Sequence, residues 1–353
     1  NDPLSKVSQI VNREAVAVRR PEKETRPKVF YKGADQVTLD PLAARRPEGG
    51  IFMWSEQGDV PHQVPSGHPG SHNSSAAAVL SYDVIHRAPW DWRVSAYTFT
   101  KSIAAGAYLV PLLLGWLGLL PFTGELWGLQ APFLAMIGLI LTGGLLIWDL
   151  EHPERFWMVL LKPQWRSWLV RGGFIITGYG GLLTVHLGVT LLGRGDLTPA
   201  LGWVGAPLAI MTAIYTAYLF AQARARDLWQ SPLLPAHLLV QALVAGAAVI
   251  MLVSGGLGPP DSIRAFFRLS LGAHLVMALG EASMGHPTAH AKLAARAMTR
   301  GAYAHLFWVA MPLGLVALVF ATSTPLISAG AALVSLLMYE HAFVQAGQSV
   351  TLA

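Results

Sequence analysis

Ionisable and hydrogen-bonding side chains recur inside stretches of the sequence that are otherwise apolar. Tyr97 and Lys101 are four residues apart, a spacing that places both on one face of a helix. An ionisable group in the middle of a bilayer costs about 2.5–3.5 kcal/mol on insertion scales, so its presence needs a reason. Hydroxyl, carboxyl and ammonium groups at this depth can hold the carbonyl or hydroxyl ends of a lipophilic molecule, or pass protons.

One half of the membrane collects most of these groups. The residues predicted to share it are Tyr97, Lys101, Asp149, Tyr215 and Gln222. Tyr218 lies between the last two along the same predicted helix. This group predicts a polar pocket for a ligand. The predicted binding residues are Tyr97, Lys101, Tyr215, Tyr218 and Gln222, and the predicted catalytic residues are Tyr97, Lys101, Asp149 and Tyr215.

Further titratable residues extend from this pocket to the surface and across the membrane. The predicted proton path consists of Asp149, Glu151, His152, His186, His274, Glu281 and His305. Tyr179 and His186 are seven residues apart, as are His274 and Glu281, so each pair shares a helix stripe. Glu340 and His341 are further polar residues inside a predicted span.

Each of these residues also has a structural explanation. Lys101 can extend its long side chain to the membrane surface. Asp149, Glu151 and His152 can be ordinary interfacial residues, and Tyr218 can face lipid headgroups. His186 and His305 can serve only as hydrogen-bonding residues between helices.

Eight apolar stretches, each near the roughly 20 residues that cross a bilayer, must position these side chains. They are predicted at 95–120, 126–149, 168–193, 199–224, 232–255, 264–283, 301–323 and 325–346. Only closed hydrogen-bonded elements cross lipid, so the fold class is an all-α membrane protein. We expect two four-helix bundles, at 95–224 and 225–353, and tryptophans near the span ends form an aromatic belt.

Charge is concentrated outside these spans. Charged residues are 13% of the chain against about a quarter in soluble domains. Residues 1–94 hold 12 Lys/Arg and 11 Asp/Glu out of 25 and 20. We interpret 1–94 as a polar extramembrane arm, with no signal peptide visible before it. Its scattered aromatic residues favour an arm that becomes ordered on a partner subunit over a disordered tail.

The loops alternate in charge, which predicts their sidedness. The even-numbered loops carry Lys162, Arg166, Lys292, Arg296 and Arg300 among others, and they share a side with the arm and both termini. The positive-inside rule makes that side cytoplasmic. Positive charge between apolar spans reflects membrane topology, so the sequence pI of about 9.5 does not indicate nucleic-acid binding.

The chain contains no cysteine. This excludes iron–sulfur ligation, thiolate zinc sites and disulfides within the chain, since each requires cysteine sulfur. Any electron acceptor of that kind must belong to a partner.

Two loop motifs stand out between the predicted spans. The first is DLEHPERF from Asp149 to Phe156, with Ser167 and the pair Gly172-Gly173 following. The second is RDLWQSPLLP from Arg226 to Pro235. Together with Trp92, Tyr97 and the run AAGA at 104–107 in the first predicted helix, they resemble the NrfD/PsrC family, the membrane subunits of polysulfide-reductase-type respiratory complexes. The similarity covers about residues 90–349.

The resemblance implies a quinone or quinol site (menaquinone or ubiquinone) in the first four helices, without haem. It also implies a ferredoxin-like iron–sulfur partner, a molybdopterin catalytic subunit beyond it, and an inner-membrane location. The quinone tyrosine of the fourth helix falls on Tyr215, whereas Tyr97 replaces a histidine of the first. Glu151-His152 stands where Gly-Arg is usual. Some members are suspected of proton translocation, and in others the catalytic subunits lie on the outer face.

Two other classes remain open. A di-haem cytochrome b subunit needs paired histidine ligands, for which His186, His274 and His305 are candidates. A secondary transporter needs an inverted repeat with broken helices, and the sequence shows no such symmetry.

Overall fold

The computed structural model describes residues 90–350, apart from position 225, positions 255–259 and position 287. The described residues form helices joined by turns, with no strand among them, and belong to one compact unit. All but the last five positions of the predicted arm, 90–94, lie outside the described residues.

The helices follow the apolar stretches closely. The longer ones are α1 Trp92–Trp116, α2 Ala131–Asp149, α3 Trp168–Leu191, α4 Thr198–Ala221, α5 Leu234–Val253, α6 Asp261–Ser283, α7 Ala289–Thr299, α8 Ala304–Phe320 and α9 Pro325–Ser349. A π-helical turn, Leu126–Gln130, leads into α2. Short helical turns lie at Pro153–Arg155, Met158–Leu161, Gly195–Leu197 and Asp227–Gln230.

Seven of the described helices are long and apolar enough to cross a membrane, namely α1 to α6 and α9. Helices α7 and α8 qualify as an eighth span only when they are counted together, and they are bent by 66° at the break between them. The all-α, multi-pass prediction is confirmed. Helix α7 was not predicted, since its sequence AHAKLAARAMT carries a lysine and an arginine and has too few apolar residues to stand out as a span.

Helix α1 lies at the centre of the described residues. It contacts α2 and α4, with α3 between those two, and on another side it contacts α5 and α9. Gly106 of α1 and Gly246 of α5 meet backbone to backbone. A Cβ at Gly246 would lie 2.0 Å from the Gly106 carbonyl carbon. Small residues allow this close approach, which packs membrane helices without a hydrophobic driving force.

The RDLWQSPLLP motif closes one end of the helices. Trp229 stacks on Trp90 at 4.9 Å and on Phe220 at 5.0 Å between ring centroids. Arg226 donates a hydrogen bond of 2.5 Å to the carbonyl of Val350, and burial lowers the pKa of its guanidinium. The motif therefore joins the connection between α4 and α5 to Val350 at the end of α9 and to Trp90 just before α1.

Candidate functional site

Lys101 is fully buried between helices α1 and α4. Its ammonium group donates a hydrogen bond of 2.6 Å to the backbone carbonyl of Ala213. The same group lies 5.4 Å from the ring centroid of Tyr215, within the range of a cation–π interaction. Lys101 therefore points into the protein and does not extend to the membrane surface.

The hydroxyl of Tyr215 is buried and has no hydrogen-bond partner among the described residues. The hydroxyls of Thr212 and Thr216, on the same helix, are also buried without a partner. Tyr97 is 2% exposed, lies one turn before Lys101 and interacts electrostatically with Tyr215. We refer to Tyr97, Lys101, Tyr215 and Thr216 as the Lys101 cluster. It brings together three of the residues that the sequence predicted for the pocket.

The position of the Tyr215 ring depends on a glycine of α3. A Cβ added at Gly172 would lie 2.4 Å from the ring, so any side chain there would displace it. The next residue, Gly173, lines an apolar cavity of about 180 Å³ between α2, α3 and the DLEHPERF loop. Leu150 and Phe156 of that loop contribute to its wall. Because Gly172 and Gly173 are adjacent in α3, Tyr215 and the cavity lie near the same part of that helix.

Glu340 brings a carboxylate to the Lys101 cluster from α9. It is 3% exposed, it interacts electrostatically with Lys101, and neither of its carboxylate oxygens has a hydrogen-bond partner among the described residues. Glu340 lines a cavity of about 10 Å³ together with His237, Gln241 and Tyr339. That volume is close to the minimum that holds one water molecule, about 10–15 Å³.

A network of histidines and a carboxylate lies on the far side of this small cavity. His237 Nε2 is 3.0 Å from His274 Nδ1, and His237 Nδ1 is 3.6 Å from Glu281 Oε2. The hydroxyl of Tyr339 donates a hydrogen bond of 2.9 Å to the same oxygen of Glu281. The predicted stripe of His274 and Glu281 therefore belongs to one network, which we call the Glu281 network.

The Glu281 network borders a cavity of about 570 Å³ between α5, α6 and α7. Its walls include His237 and Glu281 and, toward the connecting loops, Asp227 and His286. Residues 227–233 between α4 and α5, and residues 284–286 with Thr288 between α6 and α7, surround the cavity at the end of the helices where Trp90 and Val350 lie.

The Lys101 cluster and the Glu281 network reach similar depths. Lys101 is nine residues from the start of α1, Glu340 nine from the end of α9 and His274 nine from the end of α6. At 1.5 Å per residue these positions are about 14 Å from helix ends that lie on one side. That distance is near the middle of a hydrocarbon layer about 30 Å thick.

A second polar cluster lies toward the opposite ends of α1 and α3. Tyr108 Oη is 3.1 Å from His186 Nδ1, and Trp127 donates a hydrogen bond of 3.0 Å to Thr198. Tyr179 donates one of 2.9 Å to the carbonyl of Ala104, and its ring packs edge-on against Tyr108. In this far-end cluster His186 serves as a hydrogen-bonding residue between helices.

The remaining predicted residues lie elsewhere. Tyr218 is 37% exposed and stacks on Trp168, and Gln222 accepts a hydrogen bond from the backbone nitrogen of that tryptophan. Asp149 is half-buried, with its carboxylate 3.5 Å from Arg93 Nε. The exposed members of the predicted proton path are Glu151, His152 and His305. Asp149 interacts electrostatically with Tyr97 of the Lys101 cluster, whereas the structure does not join the other residues of this group to that cluster.

Two residues of the Glu281 network, His237 and Tyr339, were not among the predicted site residues. His237 and Gln241 are four apart and both buried, a stripe of the same kind as Tyr97 and Lys101. This spacing is the feature of the sequence that could have identified His237 as a candidate site residue. Among the described residues, no three or more histidine and carboxylate side chains are arranged so that they could hold a metal ion.

Comparison with known proteins agrees with the two loop motifs. The sequence is 25% identical over 253 residues to the C component of polysulfide reductase from Wolinella succinogenes, covering 62% of this chain and 78% of the relative. It is 24% identical over 290 residues to the C component of selenate reductase from Mesobacillus selenatarsenatis, covering 68% and 66%. A putative membrane component of dimethyl sulfoxide reductase from Halobacterium salinarum is 25% identical over 190 residues, 44% of each chain.

A family profile also matches most of the chain. Residues 83–350, which include the Lys101 cluster, the Glu281 network and both loop motifs, match the profile named polysulphide reductase, NrfD. The match covers well over half of the 353 residues. This protein belongs to the NrfD family.

Proposed function

We propose that this protein is the membrane subunit of a multi-subunit reductase complex, in which it exchanges electrons between a membrane quinone and a redox partner. The observation that carries this proposal is Tyr215, whose hydroxyl is buried without a hydrogen-bond partner among the described residues and whose ring centroid lies 5.4 Å from the Lys101 ammonium. A buried hydroxyl without a partner costs about 1–3 kcal/mol, and a ligand oxygen would satisfy it.

The donors of the Lys101 cluster suit a quinone headgroup. When bound, a quinone supplies two-electron, two-proton redox chemistry. The Tyr215 hydroxyl donates a hydrogen bond to one ligand oxygen, and Tyr97 holds the ligand from α1. Lys101 stabilises negative charge that develops on the ligand, because its ammonium is buried where electrostatic interactions are strong. The apolar cavity behind Gly172-Gly173 accommodates part of the hydrophobic tail.

The same proposal implies which partner subunits the complex contains and how this protein is arranged among them. Electrons pass to a ferredoxin-like iron–sulfur subunit, because the chain has no cysteine to hold a cluster of its own. A molybdopterin catalytic subunit lies beyond it. Residues 1–94 form an arm that binds the iron–sulfur partner, and two four-helix bundles, 95–224 and 225–353, anchor the complex in the cell membrane. Both termini are placed on the cytoplasmic side by loop charge.

Two other functions have less support. A di-haem cytochrome b needs pairs of histidines that face each other across a haem. The Nε2 atoms of His186 and His274 are free of hydrogen bonds among the described residues. His186 lies with Tyr108 in the far-end cluster, however, whereas His274 lies beside His237 in the Glu281 network, so the two belong to different parts of the helix assembly. A secondary transporter places its site at broken helices related by an inverted repeat, and the long spans α1, α3 and α4 run unbroken through the proposed site.

Replacing Tyr215 by phenylalanine in the intact complex tests the proposal. The change removes one hydroxyl and keeps the ring against Gly172. We expect quinone-linked turnover to fall at least about 10-fold while the complex assembles normally, since the hydroxyl contacts the ligand oxygen directly. Tyr218→Phe, the same change on the same helix, is the matched control and should leave turnover unchanged. Equal turnover of Tyr215→Phe and the unmodified complex would move the site elsewhere.

A further inference from the structure

The buried groups nearest Lys101 continue into the second half of the chain. Glu340 interacts electrostatically with Lys101 on one side and lines the water-sized cavity on the other. His237 borders both that cavity and the cavity of about 570 Å³. Lys101, Glu340, His237 and Glu281 therefore form a row that runs from the Lys101 cluster to the large cavity.

We propose that Glu340 is the proton-transfer residue that joins the Lys101 cluster to the Glu281 network, and that the large cavity is where these protons exchange with water. This inference rests on the quinone function proposed above and assigns roles to Glu340, His237 and Tyr339. The route runs sideways from the first four helices into the second half of the chain and returns to the side where α1 begins.

Protons and electrons separate at the Lys101 cluster during quinol oxidation. Each quinol oxidised leaves two protons and two electrons, and the electrons go to the iron–sulfur partner. A proton released at the Lys101 cluster reaches the Glu340 carboxylate, crosses the small cavity through one water to His237, and passes to Glu281. From Glu281 it enters the large cavity, and the row is then ready for the second proton. Quinone reduction uses the same row in reverse.

Three features make the row suitable for proton transfer. Neither oxygen of Glu340 makes a hydrogen bond to another described residue, although the Ser102 hydroxyl lies near enough to interact with the carboxylate, so Glu340 can accept and release a proton. His237 has one ring nitrogen near His274 and the other near Glu281, which lets the imidazole take a proton on one side and give one on the other. The Tyr339 hydroxyl holds Glu281 in place at 2.9 Å. Tyr339 is thus a positioning residue.

The cavity walls fit water exchange at the end of the row. They combine Glu281 and His237 with Asp227, Ser231, Thr288 and His286, whose buried Nε2 has no hydrogen-bond partner among the described residues. Ordered water needs two to four polar partners, and these side chains provide them. The cavity is large enough for several water molecules.

The test uses the intact complex with the substitution Glu340→Gln. This change replaces the titratable carboxyl group by an amide and keeps the size and shape of the side chain. Glu125→Gln, the same change at an exposed residue near the other end of the helices, is the matched control. Infrared difference spectra between the oxidised and reduced complex report protonation of individual carboxyl groups. Turnover and equilibrium binding of a quinone analogue are measured on the same samples.

We expect Glu340→Gln to lose a carboxyl band that Glu125→Gln retains, to slow turnover at least about 10-fold, and to keep quinone affinity within about twofold. His237→Gln should slow turnover similarly while the Glu340 band remains, and it replaces Glu340→Gln if that variant does not assemble. An unchanged carboxyl spectrum or unmodified turnover in these variants would overturn the relay. Unchanged quinone binding and turnover in Tyr215→Phe would contradict only the proposed function, so the two proposals fail separately.

Discussion

The Lys101 cluster and the far-end cluster contain similar residues but differ in how completely their polar groups are bonded. At the far end, the Trp127 indole, the Tyr179 hydroxyl and the Tyr108 hydroxyl all have partners within 3.1 Å, and one buried atom, His186 Nε2, has none among the described residues. Around Lys101, the hydroxyls of Tyr215 and Thr216 and both oxygens of Glu340 have none among the described residues. Tyrosines inside a membrane helix do not, by themselves, identify a functional site.

Each buried polar group without a partner costs about 1–3 kcal/mol, so several together are an expensive arrangement. Such an arrangement persists where a ligand, water or moving proton uses it, whereas a cluster whose hydroxyl and indole groups are bonded stabilises helix packing. The clusters also differ in construction. The far-end cluster draws its side chains from the first four spans, whereas Lys101 meets Glu340 of α9 across the boundary between the two halves of the chain.

The largest effect should come from Gly246→Val, which disrupts the close contact between α1 and α5, one of the places where the two halves of the chain meet. Its side chain would overlap the backbone of Gly106, and backbone cannot rotate away, so α1 and α5 must separate. We expect poor assembly of the complex and loss of quinone-linked turnover, with overpacking costs of about 1–3 kcal/mol or more. The measurement is the yield and thermal stability of the purified complex.

Gly181→Val is the control for that variant, because a Cβ at Gly181 meets no atom within 4 Å. A stable, active Gly246→Val complex would show that the close contact between α1 and α5 is unnecessary for the site.

Lys101→Met should have the next largest effect, and mainly on catalysis. Methionine keeps the apolar length of the side chain but removes its charge and its bond to the Ala213 carbonyl. We expect turnover to fall at least about 10²-fold, in the range typical of lost acid–base or charge-stabilising groups. Steady-state kinetics of the membrane-bound complex measure this. Turnover within about threefold of the unmodified complex would remove Lys101 from the mechanism.

Tyr108→Phe should have the smallest effect, confined to stability. It removes the hydroxyl that bonds to His186, at a cost of about 0.5–1.5 kcal/mol. We expect a slightly lower melting temperature and turnover within about twofold of the unmodified complex. A loss of turnover as large as that of Tyr215→Phe would show that the far-end cluster also takes part in the reaction.

Helix positions were predictable from the sequence because an apolar run of about 20 residues is typical of a helix that spans the membrane. The predicted stripes were also informative: Tyr97 with Lys101 and His274 with Glu281 each enter one polar network. These pairs lie within a single helix, where periodicity fixes which residues share a face.

Contacts between distant helices were not predictable in this way. Nothing in the spacing of Lys101 and Glu340 indicates that α1 packs beside α9, because that pairing depends on how the helices assemble. Periodicity also placed Tyr218 and Gln222 with Tyr215, yet both lie near Trp168, outside the Lys101 cluster. Inside lipid a helix has no water-facing side, so the sequence does not mark which face turns inward.

Cross-linking of a photoreactive quinone analogue to the intact complex tests the central claim most directly. The labelled positions are found by mass spectrometry of peptides from α1, α3, α4 and the second half of the chain. We predict labels near Tyr97 and Tyr215 that excess unlabelled quinone prevents and that Tyr215→Phe weakens. Labels confined to the neighbourhood of Tyr108 and His186, or to the walls of the large cavity, would contradict a quinone site at the Lys101 cluster.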